Sequence, residues 1–562
     1  MINRLKYILP VALFFAVGGM GNLCAQELVV DVTQWGAKPD DGKDDTKALR
    51  KAVEYACARP GTTLYLPPGK YLLKDKEAVK LEQEVMQGKM GANPEKVVYT
   101  PYYPYVKGLD FDGAKYVTVK ADRAVLMCEG WMEPVSLNRC EHVAIEGLSI
   151  DYVRKPFVSG EVVEIKPSCF EVQFSAGKRV TDEMPLTRMT FWEKDKNRLY
   201  PEPIYFPERE LLGNNRVRFH HSIPDYLLGS DVTVLNSLHF RPAILIYASE
   251  DTRLSDVTIH AQPGMGVVGF DSKDILLERL SVVPSKGYYL STNTDATHFA
   301  CCTGTLHFVG CNFQGQGDDA TNVHGYYQTI LEHHANKARI QVNATTYTHA
   351  QVADVPRVGD TLELVEKKTL KPVKSYIVRE AKHHNPETSV EVTLSENLPE
   401  NSSAYYLMNI SKLPELIFEN SVINSHLARG ILVKTKKARI VNNVFRACTG
   451  TAIHIGAEAN WHEGTHSRDV FVQNNVMIGC GKGAGSQAGA AGIAVIIEAQ
   501  DTKDSYLHEH VFLENNMIMG EGNPCGIYVG NSKNIILKDN KILNCKKDYI
   551  FHSVDQISDE QK

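Results

Sequence analysis

Four stretches near the C-terminus repeat one register of positions: apolar, any, apolar, any, any, asparagine, any, apolar. They run through Ala438, Ile440, Asn443 and Phe445; Val470, Val472, Asn475 and Met477; Val511, Leu513, Asn516 and Ile518; and Ile535, Leu537, Asn540 and Ile542. Alternation is the period of a strand with one buried face, and the asparagine falls where the strand turns. The asparagines are 32, 41 and 24 residues apart, which implies stacked coils of about two dozen residues with loops inserted at the turns. Stacking would bring the asparagines into a ladder, each side-chain amide bonding the next. The largest loop by composition is "GCGKGAGSQAGAAG", Gly479 to Gly492, flexible enough to line a cleft.

At the other end, "VVDVTQWGAKPDDGKDDTKALRKAVEYACA" passes from a short strand through a Gly/Asp loop into an amphipathic helix. Ala48, Leu49, Ala52, Val53 and Ala56 share one face, and Asp45 or Thr46 is placed to cap the N-terminus. A strand, a Pro-Pro-Gly turn and a strand follow over Thr63 to Leu73. This opening resembles the N-terminal cap of polygalacturonases and other pectate-lyase-like right-handed β-helices, in which a helix seals the open end of the coil. Two segments, 154–236 and 332–409, break the coil pattern with shorter alternating runs and a turn signal every ten or so positions, and read as inserted antiparallel, barrel-like β structure. The expected fold is therefore all-β: a right-handed parallel β-helix with an N-terminal capping helix, built from 26–153, 237–331 and 410–562 and interrupted by the two insertions.

Composition narrows the partners. With 562 residues, 43% hydrophobic, 23% charged and a net charge of -6, the chain has no basic excess to attract a phosphate backbone, so nucleic acid is an unexpected partner. Arg4 and Lys6 precede an apolar run from Tyr7 to Val17 and then "LCAQ". That pattern reads as a cleaved secretory signal over residues 1–25, not a membrane span, and as an exported protein, periplasmic or extracellular. Cys24 leaves a lipoprotein reading open, which Leu23, bulky where a small residue is usual, disfavours. Without Cys24 the 12 cysteines become 11, scattered and without a C-x-x-C pair, which points to buried thiols and away from a disulfide framework.

The candidate chemistry lies in "GQGDDATNVHG", Gly315 to Gly325, where Asp318 and Asp319 adjoin. Asp295 precedes Asp318 by 23 residues, about one coil, so stacking would bring three carboxylates together. Adjacent strand residues point to opposite faces, so both aspartates reach one pocket only if the backbone twists, which Gly315 and Gly317 permit. Crowded like charges raise at least one pKa, and a carboxylic acid kept protonated near neutrality is what a general acid requires. A solvated pair or a calcium site is the alternative, but "DDATNVHG" lacks the alternating oxygen ligands of an EF-hand loop, and no zinc spacing occurs. No cofactor or metal is expected.

"NTD" at 293–295, "GDD" at 317–319 and "RGILVKT" at 429–435 resemble the NTD, DD and RIK elements of family 28 polygalacturonases. The match is incomplete: Ala296 follows NTD where that family has glycine, and His324 comes five residues after Asp319 in place of a separate G-H-G. "GQGDDATNVHG" together with "RPAILIYASEDTRLSDVTIHAQPGMGVVG" at 241–269 resembles glycoside hydrolase family 110, bacterial α-1,3-galactosidases that remove terminal galactose from blood-group B antigens and related glycans. That resemblance covers nearly the whole chain. It implies Asp318 as general acid, Asp295 and Asp319 as general bases holding the water, inverting hydrolysis, and an oligosaccharide or glycoconjugate partner. On the same rim, Arg429 and Lys434 are candidates to bond sugar hydroxyls and Trp461 to stack on a sugar face, with His324, Glu458 and Glu498 as further candidate contacts. A polygalacturonase-like pectin hydrolase and a non-catalytic glycan-binding β-helix are the other readings. Residues 286–330 hold only Lys286 among Lys and Arg, which favours a neutral sugar over polyanionic pectin.

Overall fold

The computed structural model describes residues 28–100, 103–175, 180–342, 354–385 and 389–560; the signal-like segment 1–25 lies outside them. Coils stack through three parallel ladders. In the central and C-terminal coils the first runs in register through Ile244, Val267, Thr297, Thr321, Ile431, Ile453, Ile493 and Ile527. The second passes through Ile275, Leu306, Leu416, Ala438, Val470, Val511 and Ile535. The third passes through Ile259, Val282, Phe313, Ile423, Phe445, Met477 and Ile518. Alternate residues of all three point into one core, the geometry that a period of two imposes when a sheet is wrapped on itself. The architecture is a parallel β-helix, as the sequence pattern implies.

Two consecutive residues make each corner between the second and third ladders. Asn442, Asn474, Asn515 and Asp539 take left-handed backbone angles, φ 60°, 57°, 51° and 50°, a conformation that Asn and Asp tolerate better than other side chains. The residue after each is the rung, buried at Asn443, Asn475 and Asn516 and half-buried at Asn540. The Asn443 amide Nδ2 donates to Asn475 Oδ1 at 3.0 Å, Asn475 to Asn516 at 3.0 Å and Asn516 to Asn540 at 3.0 Å. The same oxygens accept the backbone N–H one coil away, as Asn475 Oδ1 does from Asn443 N. Each Nδ2 also donates to a backbone carbonyl, such as Ile440 for Asn475. Corner polar groups that would otherwise be buried without partners are thereby satisfied.

Helix α1, Thr46–Cys57, lays Leu49, Ala52, Val53 and Ala56 on the first coils and joins the main core. Asp45 stands at its N-cap, and its carbonyl accepts from Leu49 N, but its side chain does not bond the helix. Its carboxylate accepts from Lys38 N at 2.8 Å and Leu72 N at 3.0 Å, tying two loops together, while Asp44 takes the Thr46 N–H. The described cysteines are all free, and all but Cys57 and Cys545 are buried. No described helix is long and apolar enough to cross a membrane.

An eight-stranded antiparallel sheet extends from Phe157 to Leu235, with its own core around Phe170, Phe191 and Phe219. It leans along the coils. Trp192 stacks on Tyr289 with ring centroids 4.5 Å apart, Leu199 N donates to Ser425 Oγ at 2.7 Å, and Arg198 pairs with both Glu521 oxygens at 2.9 Å. The second antiparallel unit grows out of a coil strand. Thr321–His334 pairs in parallel through His324, then pairs antiparallel from Gly325 onward, ahead of residue 332.

Asn475→Ala should lower unfolding free energy by about 2–4 kcal/mol, because it strands the buried Asn443 N–H as well as removing the amide's own bonds. Asn474→Ala, on the exposed left-handed residue beside it, should cost about 1 kcal/mol. Urea unfolding of both variants measures the difference, and equal losses would deny the ladder its role.

Candidate active site

Register along the first ladder builds the site. Asp295, Asp319 and Arg429 each stand two residues before a strand, and Thr297, Thr321 and Ile431 are paired, so the three fall in one line across successive coils. Backbone bonds Ala296 N to Asp319 O and Ala320 N to Arg429 O, both 3.0 Å, hold that line. Asp295 therefore stacks on Asp319, 24 residues away, with Asp318 beside them. Gly315 supplies a left-handed residue, φ 73°. Gly317 has a different reason from the expected twist: a Cβ there would lie 2.1 Å from both Arg188 Nη2 and the Asn293 carbonyl oxygen, so only glycine leaves room for Arg188.

Oxygens of Asp295, Asp318 and Asp319 lie within 4.8 Å of one another, the first and last buried and Asp318 half-buried. Burial, with the charges of Asp318 and Asp319, raises the Asp295 carboxyl well above its ordinary range. Burial also raises Asp319, against Arg429 and with Asp318, to about 8. Burial and mutual repulsion thus favour protons on Asp295 and Asp319, which titrate together. Arg429 is its counter-charge: its backbone N–H donates to Asp319 Oδ1 at 2.7 Å and its Nε lies 3.2 Å from the same oxygen.

Behind Arg429 the charges alternate. Its Nη2 lies 3.6 Å from Glu458, and the fully buried Lys434 ammonium bridges Glu458 and Glu463. Burial opposes Glu458 ionisation, but Lys434 and Arg429 outweigh it and hold the carboxyl at about 2. Glu498 lies one coil beyond Glu458 and accepts from Gln487 of the Gly-rich 479–492 loop, whose Gly485 packs on the Arg429 side chain. Lys434 is therefore directed at two glutamates. His324 is likewise buried, its nitrogens facing His298 and the Gly325 carbonyl. Trp461, 49% exposed, stands on the turn Ala459–Trp461 beside Glu458. Of the sequence candidates, Asp295, Asp318, Asp319, Arg429 and Glu458 meet in one network; Lys434 and His324 support it from behind; Trp461 and Glu498 lie at its edge.

Several residues escaped the sequence reading. Arg188, from the inserted sheet, donates to the Asn293 carbonyl between the two aspartate turns. His298 bonds Asp295, Glu463 receives Lys434 and Asn322, and His426 donates to the Asp318 carbonyl at 3.0 Å. "NTDATH" carried a signal for His298, three residues from Asp295. Nothing local marked Arg188, which corrects the count of cations: residues 286–330 are poor in them, but Arg188 and Arg429 arrive from elsewhere in the chain. Among the described residues, several that contact the trio or its neighbours carry a buried atom without a partner: Arg188 Nε, Asn293 Oδ1, Asn322 Oδ1, the Tyr326 hydroxyl, His426 Nε2 and His454 Nδ1.

Among the described residues, two groups bring three metal-ligating atoms within 4.8 Å of one another, the aspartate trio and His298, His324 and Glu463. In the second, the imidazole Nε2 atoms are 2.7 Å apart. Two ligands about 2.0–2.1 Å from one tetrahedral ion stand farther apart than that, and Glu463 already pairs with Lys434. That geometry is a hydrogen-bonded cluster.

Residues 29–116 match the family described as rhamnogalacturonase A/epimerase, pectate lyase-like. Along most of its length the chain is similar to two curated proteins. Alpha-1,3-galactosidase A of Bacteroides fragilis is 25% identical over 96% of this chain and 91% of its own. Alpha-1,3-galactosidase B of Bacteroides thetaiotaomicron is 26% identical over 84% of this chain and 78% of its own. Among solved structures, a Thermotoga maritima exopolygalacturonase aligns at 10% identity over 95% of this chain and 91% of its own, with a TM-score of 0.48.

The raised Asp319 pKa makes a thermodynamic prediction. The folded state binds the proton more tightly than the unfolded chain, so the stability from it is complete below about pH 4 and is lost as pH rises through about 8. Asp319→Asn should be more stable than the parent at pH 8, with the advantage shrinking toward pH 4. Melting temperatures across that range test it; parallel profiles for parent and variant would contradict the assignment.

Proposed function

We propose that the protein is an exo-acting glycosidase that removes terminal, non-reducing α-1,3-linked galactose from oligosaccharides or glycoconjugates, blood-group B-type and linear α-1,3-galactosyl structures being its expected substrates. The observation that carries this reading is the aspartate trio in a chain similar, over most of its length, to alpha-1,3-galactosidases. Its surroundings suit an uncharged sugar. Arg429 lies against Asp319 and Glu458, and Lys434 is paired with Glu458 and Glu463. Burial keeps His426 and His454 neutral, His454 at about 3. Their ring nitrogens Nδ1 and Nε2, respectively, face carbonyl oxygens, leaving His426 Nε2 and His454 Nδ1 as acceptors. These, with the Tyr326 hydroxyl and Arg188 Nε, match hydroxyl groups, and a site built from unpaired buried polar atoms discriminates strongly against ligands lacking them. The inserted sheet, anchored from Asn293 to Glu521, supports attack on a chain end by walling one side. Trp461 offers an exposed indole to a sugar face.

In this mechanism Asp318, the member of the trio with a partly exposed carboxyl, protonates the leaving oxygen. Asp295 and Asp319, stacked on adjacent coils, hold the attacking water and take its proton. Inverting enzymes usually separate their carboxyls by about 6.5–9.5 Å and retaining ones by about 5–5.5 Å. Two bases around one water favour single displacement. The leader at 1–25 makes this an exported enzyme.

Free galactose should appear on incubation with fucosylated or unfucosylated α-1,3-galactosyl oligosaccharides, and Asp318→Asn should reduce its release about 10²–10⁴-fold with the fold intact. Release of galacturonate from pectin instead would redirect the assignment.

Proton NMR in the first minutes should show β-galactose ahead of the α-anomer. An initial α-anomer, or a galactosyl adduct on Asp295, Asp318 or Asp319, would establish double displacement.

A further inference from the structure

His324 Nδ1 lies 3.1 Å from the Gly325 carbonyl oxygen, which can only accept, so that nitrogen carries a hydrogen. His298 Nε2 and His324 Nε2 face each other at 2.7 Å, with the rings near perpendicular at 85°. One hydrogen lies between them. His298 Nδ1 and Asp295 Oδ2 are 2.7 Å apart, and a ring lone pair cannot face a carboxylate oxygen that closely, so a hydrogen lies there too. Three contacts need three hydrogens. Two neutral imidazoles supply two.

We propose that Asp295, His298 and His324 hold one extra proton between them, and that His298 is a positioning residue that carries this proton for Asp295 during the reaction. The count is the same wherever the proton sits: on Asp295, on His298, or on His324 with the bonds reversed. It follows from geometry alone, and it resolves the crowding of the site. With one extra proton the Asp295 unit is neutral overall, Arg429 answers Asp319, and a single uncompensated carboxylate remains at most, so three aspartates can share one small volume. Other titratable groups packed on the unit are Asp318 and Asp319 from the next coil turn, Glu463 at 3.6 Å from His324 Nε2, Lys434 behind Glu463, and Tyr326, whose ring meets His324 at 4.8 Å.

The inference rests on the hydrolase reading for its catalytic part. With the extra proton on His298, Asp295 is an ionised base whose Oδ2 is fixed, leaving Oδ1 for the water. Attack on the sugar carbon breaks the glycosidic bond, Asp318 gives its proton to the leaving oxygen, and the water's proton passes to the Asp295–Asp319 pair. The extra proton stays on the unit throughout. The charge developing on the sugar favours its placement on His298, away from the reacting carbon.

Full-length protein labelled with ¹⁵N-histidine tests the proton count without reference to activity. A strongly downfield ring N–H should be present, vanish in His298→Gln, and move upfield in Asp295→Asn. Absence of such a signal, or its indifference to Asp295→Asn, overturns the proposal. For the catalytic part, His298→Gln should lower kcat about 10- to 100-fold with KM changed less than threefold, and move the acidic limb of the kcat/KM profile upward by about one pH unit, because Asp295 must then ionise without a partner. A variant that loses activity with an unmoved limb sinks the positioning role. Should His298→Gln fail to fold, the Asp295→Asn spectrum still decides the proton count. If the downfield signal behaves as stated and no α-1,3-galactosyl oligosaccharide is cleaved, the proton count stands and the hydrolase reading falls.

Discussion

Backbone hydrogen bonding between successive coils is the constraint on which the site depends. Because Thr297, Thr321 and Ile431 are held in register, the positions two residues before them form a column, and the side chains in that column are Asp295, Asp319 and Arg429. A parallel ladder repeats about every 4.8 Å, which forces side chains into contact whether or not their charges agree. Here two buried carboxylates and one guanidinium share the column, and the charge pattern behind it alternates: Arg429, Glu458, Lys434, Glu463. A slip of one residue between any two coils would send the column's side chains to the opposite face.

The asparagine rungs guard against such a slip in the C-terminal coils. Each corner needs a left-handed residue followed by a small polar side chain that reaches the backbone of the next coil, and Asn443, Asn475 and Asn516 satisfy every polar atom they bring inside. Ser421 continues the line, its N–H donating to Asn443 Oδ1 and its hydroxyl oxygen accepting from Cys311 N. Corner chemistry and site chemistry are therefore linked through the same coils: whatever loosens the ladder at Asn443 loosens the coil that carries Arg429.

Both antiparallel units reach the site. The first brings Arg188 to the gap above Gly317 and braces itself against Tyr289, Ser425 and Glu521. The second begins inside the strand that follows Asp319 and brings Tyr326 against His324. A coil supplies a column of side chains on a flat sheet; depth and selectivity have to come from segments that rise from it.

Periodicity alone determined the coil, its approximate length, the asparagine ladder, the helix on the first coils and the two departures from the pattern, because each depends on residues close together in the chain or on a strict repeat. It also brought Asp295 near Asp318 and Asp319, since one uninterrupted coil separates them. Local pattern did not extend to partners that insertions move apart: Arg429 is the next step after Asp319 in space but 110 residues away in sequence, and Arg188 reaches the aspartate turns from a separate sheet. Nor could composition say that Lys434 and His324 face inward, or that Asp45 ties loops together in place of capping its helix. Those outcomes are decided by which coil lies against which, and hence by hydrogen bonds and packing that form only when distant segments close into the helix.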